Sequence, residues 1–256
     1  MILNVRTCMS SAKKPTDSQL DQAYSHLRGQ IEGGIVRPGQ RLSRRALAEE
    51  IGVSPAVVMK ALAQLEREGV IEARPRSGTY VRELSVEDYA DLCDIRELLE
   101  PYAAARAAER ITPEQLEILQ QSCWRYHQFS AIFPLPQDAT TAWLQHCQID
   151  QEERLFHGTI FKASGNQLLA QLTLTLRLLS HISPQLVYAN GQGRENSTTV
   201  VAYEHAGIVE AIAARDPDLA YKRMLNHLRG ARMVLEQESS SLKHFSRANQ
   251  GNGSHS

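Results

Sequence analysis

The chain has 256 residues, 42% of them apolar, with 28 Lys/Arg against 29 Asp/Glu and a formal net charge of −1. That apolar share argues against a disordered chain, no apolar run approaches the ~18 residues a membrane helix needs, and four cysteines without a CxxC pair make no disulfide framework. The charge divides unevenly, since residues 1–85 carry 13 Lys/Arg and 9 Asp/Glu while the remainder carries 15 and 20, a basic front on an acidic body.

In chain order, residues 1–16 lack periodicity and are expected to be flexible. From Asp17 to Gly33, Leu20, Tyr24, Leu27 and Ile31 recur at helical spacing. Between Ser43 and Val81 the pattern is two short helices, a tight turn and a two-stranded ribbon. Gly52 can end the first helix in the left-handed region. Ser54 can cap the second, and Pro55 fits its first position, where a missing N–H costs nothing. Val58, Ala61, Leu62 and Leu65 form its apolar stripe. A helix–turn–helix of this kind sets its second helix in the DNA major groove, and the ribbon tip, Arg74-Pro75-Arg76-Ser77-Gly78, suits phosphate or minor-groove contact.

Beyond Arg82 the pattern is helical. Ser85 with Val86-Glu87-Asp88 reads as a helix start, and the helix to Arg110 shows Leu92, Ile95, Leu99 and Tyr102 as its apolar stripe. Thr112-Pro113-Glu114 opens the next helix, to about Phe129, and Pro134 and Pro136 mark a loop. Helices follow over about Thr140–Ala163 and from Asn166 to His181, then a polar loop over Val187–Asn196. Val200–Arg215 and Pro217 to about Glu238 form a hairpin around Asp216, and residues 239–256 are too polar to fold. The expected fold is mainly α: a winged helix–turn–helix (17–83, three helices plus a two-stranded wing) before an antiparallel all-α bundle (86–238) with a central cavity.

Glu153 and His157 are four apart on one helix and point the same way. His205 and His227 lie 11 residues before and after Asp216, so in a hairpin both stand about 16 Å from the turn, at one height. Three imidazoles and a carboxylate with an open position suit a divalent ion, zinc first, with nickel or manganese as alternatives. His26, His127, His146, His181 and His244 read as surface or packing residues. Arg96 adjoins the apolar stripe and needs an anionic partner, either Glu100 one turn on or a carboxylate ligand. Asn166 reads as a helix cap.

Two resemblances sharpen this. From Gln22 to Val81, the segments RPGQRLSRRALAEEIGVS, ALAQLEREGVI and SGTYV resemble the winged helix–turn–helix of the GntR superfamily of bacterial transcription regulators. That family's recognition helix usually begins Ser-Arg-Thr-Pro-Val-Arg-Glu-Ala-Leu; here Pro55 and Met59 stand where its arginines would be. The resemblance implies DNA contact by Arg45, joined by Arg44, Ser54, Ala56 and Lys60 and by Arg74, Arg76 and Gly78 of the wing, with apolar contact to thymine methyls. Residues 86–235, through DLCDIRELLEPYAAARAAERIT, EERLFHGTIFKASGN and EHAGIVEAIAARDPDLAYKRMLNHL, resemble the FCD ligand-binding domain of FadR-type members. Many of these hold a divalent metal with an Asp and three His, which implies His157, His205 and His227 as ligands with Glu153 in place of the Asp and Asp150 as fallback. The same resemblance implies an effector pocket lined by Arg96 and Asn166.

The expected function is that of a regulator dimeric on a palindromic operator, its affinity set by a small organic acid in the metal-containing pocket. The rivals are a metalloenzyme using the His/Glu site, which lacks an evident general base and leaves the DNA-binding head unexplained, and a sensor of the metal itself. With no secretory signal and no membrane segment, the cytoplasm is the expected compartment.

Overall fold

A computed structural model describes residues 15–131, 139–181 and 194–233. The expectations for residues 1–14, the Pro134/Pro136 loop, the polar loop up to residue 193 and the tail beyond 239 lie outside them. Helix α1 (Pro15–Glu32) precedes β1 (Arg41–Leu42), α2 (Arg44–Ile51), α3 (Pro55–Arg67), β2 (Ile71–Arg74) and β3 (Gly78–Val81). The helical part follows: α4 (Val86–Arg110), α5 (Pro113–Ala131), α6 (Ala139–Ala163), α7 (Gln167–His181), α8 (Arg194–Ala213) and α9 (217–233).

The local chemistry of the head matches its sequence. Ser43 caps α2 by accepting from the Ala46 N–H, and Ser54 caps α3 by accepting from the Val57 N–H. Gly52 ends α2 at φ 77, donating its N–H to the Ala48 carbonyl. Ala23, Leu27 and Ile31 of α1 pack with Val58, Ala61, Leu62 and Leu65 of α3 in a single core. The wing departs from expectation, because the sheet has three antiparallel strands in the order β1-β3-β2. Arg41 pairs with Tyr80 and Leu42 with Thr79, while β2 pairs β3 from Ile71↔Val81 to Arg74↔Gly78. A two-residue strand is too short to show alternation, so β1 was invisible to pattern reading.

Helix α4 starts with a capping box between Ser85 and Asp88, and Asp88 also accepts from Arg82 at 2.7 Å. Its buried stripe only half matches the expected one: Leu92 is buried and Leu99 packs against the bundle core. Ile95 and Tyr102 are exposed at 43% and 47%, whereas Leu92, Cys93, Glu100, Ala103, Ala104, Ala107 and Ala108 are buried. Four alanines let α6 and α8 approach α4 closely, and Phe156, Ile160, Ile208 and Ile212 fill the space in the second core. That core needs small residues on α4, so the large apolar ones turn outward.

Helices α8 and α9 form the expected hairpin, with Asp216 capping α9 through the Leu219 N–H. Arg215, at φ 57, reaches back to donate to the carbonyls of Ala108, Glu109 and Ile111, closing the C-terminus of α4. Helix α8 begins at Arg194, earlier than the Val200 expected, because the polar run before Val200 carries no apolar period to reveal it. The head core also takes in Leu92 of α4 and Leu178 of α7, so the two parts share packing.

Candidate nucleic-acid interface and metal centre

With Val58, Ala61, Leu62 and Leu65 buried, α3 turns Ala56, Met59, Lys60 and Ala63 outward at i, i+3, i+4 and i+7. Ser54 is exposed at its start. Arg44 and Arg45 are exposed on the first turn of α2, and the Arg44 guanidinium rests 3.8 Å from the Met59 sulfur. At the wing, Arg76 is exposed at φ 62, and Arg74 is held by Glu72 at 2.6 Å and over the Tyr80 ring at 4.4 Å. Gly78 has φ 131, and a Cβ there would meet the Arg41 side chain at 2.9 Å, so glycine lets Arg41 lie across the strand. Arg41, also exposed, was missed by sequence reading because its strand was missed. Among the described residues of this face, Arg41, Arg44, Arg45, Lys60 and Arg76 have no ion-pair partner, which leaves five cations available to DNA.

The second cluster lies in the helical part. Glu153 and His157 on α6, His205 on α8 and His227 on α9 each offer a ligand atom, all within 4.8 Å of one another. The equal height deduced for His205 and His227 holds, with their rings 4.8 Å apart. The three histidines are buried, and Glu153 keeps 27% of its side chain exposed. His157 Nε2 is 3.3 Å from Glu153 and His205 Nε2 is 3.4 Å from it, so both face the carboxylate. Behind them stand two further carboxylates: Glu100 lies 2.6 Å from His157 Nδ1, and Glu204 lies 2.8 Å from His227 Nδ1. Carboxylates on the outer nitrogen fix a ligating imidazole's tautomer and orientation. His205 has no such partner; it is stacked on Phe156 at 3.9 Å, and neither of its ring nitrogens makes a hydrogen bond.

This donor set fits a divalent metal. A fully buried imidazole with unsatisfied nitrogens is costly unless something accepts its lone pair. An ion about 2.1 Å from each ligand needs ligand pairs no farther apart than about 4.2 Å, so the widest pair closes by roughly half an ångström. The electrostatics agree. Burial raises the Glu153 carboxyl, but the imidazoles facing it outweigh burial and hold it below the ordinary carboxylate range; with His205 neutral, that hold comes from His157, whose own proton is favoured. Burial drives His205 well below the imidazole range against the pull of Glu153, which keeps it neutral and ready to ligate. His157 goes the other way: burial lowers it, but Glu100 and Glu153 together raise it.

Arg96 takes the first of its two expected partners. It is 14% exposed, and its Nε donates to Glu100 at 2.6 Å, so its partner is the carboxylate one turn on. Asn166 is exposed, and its Oδ1 accepts from the Leu169 N–H as the cap of α7, as the sequence suggests. Asp150 is not one of the converging ligands. His26 pairs with Glu50 and His127 packs against Tyr203, as surface or packing residues do. A cleft of about 730 Å³, lined by Arg67, Ile95, Leu99, Leu168 and Leu172, lies away from the cluster. Glu204 was not anticipated, since its role arises across a hairpin and no local motif marks it.

The profile of bacterial regulatory proteins of the gntR family matches residues 19–81, and that of the FCD domain matches residues 91–230. The chain belongs to the gntR family of regulators with an FCD domain. It is therefore a DNA-binding transcriptional regulator. This FCD regulator is 29% identical over 228 residues to the HTH-type transcriptional regulator LutR of Bacillus subtilis (strain 168), covering 80% of this chain and 95% of that one. It is 27% identical over 214 residues to YdhC of the same strain, an uncharacterized HTH-type transcriptional regulator, over 84% and 89% of the two chains. The solved structure of E. coli McbR/YncC matches its fold with a TM-score of 0.69 at 23% identity, over 86% of this chain and 98% of that one. Among the described residues, no helix is long and apolar enough to cross a membrane.

Proposed function

We propose that this regulator binds a palindromic operator as a cytoplasmic homodimer and is not an enzyme. In this reading the head comprises residues 17–83. Arg44, Arg45, Ser54, Ala56 and Lys60 meet the major groove, and Arg74, Arg76 and Gly78 of the wing meet the flanking backbone or minor groove. Arg74 engages DNA only by leaving or sharing Glu72. Lys60 and Arg44 supply the donors for base edges, and Ala56 and Met59 supply apolar contact to thymine methyls.

The helical part, residues 86–238, holds a divalent metal through Glu153, His157, His205 and His227: zinc, or nickel or manganese in its place. The observation carrying this is the convergence of three buried imidazoles and one carboxylate within 4.8 Å. A bound ion supplies open coordination positions and positive charge, which suit the carboxylate of a small organic acid. Because Arg96 is spent on Glu100, the metal is the main anchor of such an effector, with Arg96 reaching it only if Glu100 shares the guanidinium. Asn166 caps α7 through its Oδ1, and its amide nitrogen contributes to the effector site. An effector favouring one arrangement of heads shifts operator affinity by its differential binding.

Native mass spectrometry of the protein purified from its host, together with selection of bound duplexes from a random pool, tests the proposal. The expected result is one divalent ion per chain, a dimer mass and a two-fold symmetric selected sequence. Metal-free protein with no enriched sequence overturns it.

A further inference from the structure

On α4, Tyr89, Cys93, Arg96 and Glu100 recur at i, i+4, i+7 and i+11, a single helical stripe. One end lies in the head: Tyr89 packs against the head core beside Leu92, and neighbouring Asp88 accepts from Arg82 immediately after β3. The other end lies at the His/Glu cluster, where Glu100 Oε2 is 2.6 Å from His157 Nδ1 and Glu100 Oε1 accepts from Arg96 Nε at 2.6 Å. Glu100 is 3% exposed: Oε1 is hydrogen-bonded to Arg96, while Oε2 lies in close ion-pair contact with His157 and has no hydrogen-bond partner, so this carboxylate is confined between the two side chains.

A buried ion pair contributes little net stability over apolar residues of the same shape, but loss of one partner leaves an uncompensated charge. Such a pair holds geometry. Here it holds an imidazole that faces Glu153 on its other side and stands 5.4 Å from the His227 ring.

We infer that Glu100, locked by Arg96, is a positioning residue of the metal centre and ties that centre through α4 to the DNA-binding head, so that metal occupancy alters operator affinity. This rests on the metal reading above. The stripe is continuous in one helix, so a shift of the His157 ring on ligation is passed to Glu100, to Arg96 and to the turn of α4 seated in the head core. Glu204 does the equivalent service for His227 from α8, none of whose described residues belongs to the head core. The two carboxylates therefore act alike on metal affinity and differently on DNA.

The full-length protein and its Glu100→Gln, Arg96→Lys and Glu204→Gln variants are titrated with zinc against a competing chelator. Cobalt spectra are recorded, and affinity for a selected duplex is measured by fluorescence anisotropy with and without saturating zinc. We expect Glu100→Gln and Glu204→Gln each to weaken zinc binding 10- to 100-fold. The cobalt spectrum of Glu100→Gln shifts, and Glu100→Asp restores part of the affinity. In wild type, zinc changes operator affinity at least fivefold; in Glu100→Gln and Arg96→Lys that ratio falls below twofold even at saturating zinc, while in Glu204→Gln it persists. Unchanged zinc affinity and cobalt spectrum in Glu100→Gln overturn the positioning role. A full zinc effect on DNA in both α4 variants, or none in wild type, overturns the coupling. If Glu100→Gln does not fold, Arg96→Lys and Glu100→Asp carry the same comparisons. Wild-type protein that takes up no zinc refutes the metal reading itself, before any variant is made.

Discussion

A metal ligand that is a structural liability without its ion gives a sharp test, and His205 is the residue for it. It is fully buried, stacked on Phe156, edge-on to Tyr126 at 5.0 Å, and its Nδ1 has no hydrogen-bond partner. An unsatisfied buried polar group costs about 1–3 kcal/mol. His205→Leu removes that cost at similar volume. It gives up the loose 3.4 Å contact with Glu153, which is weak because burial keeps the imidazole neutral. Chelator-treated His205→Leu should therefore be more stable than chelator-treated wild type by about 1–2 kcal/mol, roughly 2–6 °C in a chain of this length. With zinc at about 100 times its dissociation constant, wild type gains about 2.7 kcal/mol, and the variant, short of one ligand, gains far less. The order of the two unfolding midpoints then inverts between chelator and zinc. Thermal and urea unfolding, followed by circular dichroism in the two buffers, read this directly. A variant less stable than wild type in chelator by more than 2 kcal/mol, or an equal zinc shift in both proteins, refutes the reasoning.

Three further outcomes are expected. Replacing Arg45 or Arg76 by alanine should weaken operator binding about tenfold, and each phosphate thereby left without its cation should reduce the slope of log affinity against log salt by about 0.9, measured by anisotropy across a salt series. Zinc affinity should fall as pH is lowered through the raised titration range of His157, about tenfold per pH unit below it, because its proton is held by Glu100 and Glu153 and must leave for the ion to bind; a flat chelator-competition profile between pH 5.5 and 8 counts against His157 as a ligand. Leu65→Ala, at a site with no exposed surface under α3, should destabilise the protein by about 2–5 kcal/mol in urea unfolding and lower DNA affinity while leaving zinc affinity intact.

Much of the head was legible because its signals are local. Ser43, Gly52, Ser54 and Pro55 each state a backbone requirement within a few residues of where it is met, and the stripe of Val58, Leu62 and Leu65 has one period and one core to face. The height argument for His205 and His227 succeeded for the same reason, as Asp216-Pro217 fixes a turn and the helical rise does the rest. What failed was set by tertiary packing. Half of the buried side of α4 was misplaced because Ile95 and Tyr102 offer more apolar area than alanine, whereas the bundle needs the close approach that Ala103, Ala104 and Ala107 allow. Glu100 was one of the two partners the sequence offers Arg96, and the choice between them turns on which carboxylate lies in reach. The outer carboxylates behind His157 and His227 belong to other helices, 57 and 23 residues away in sequence, and no short-range spacing announces them.

The most direct test of the account is the affinity of the zinc-loaded protein for its selected duplex and for a scrambled duplex of the same length and composition, at one fixed salt concentration. A regulator whose head reads bases should prefer the selected duplex by at least 10³-fold. Equal affinity for the two would contradict it.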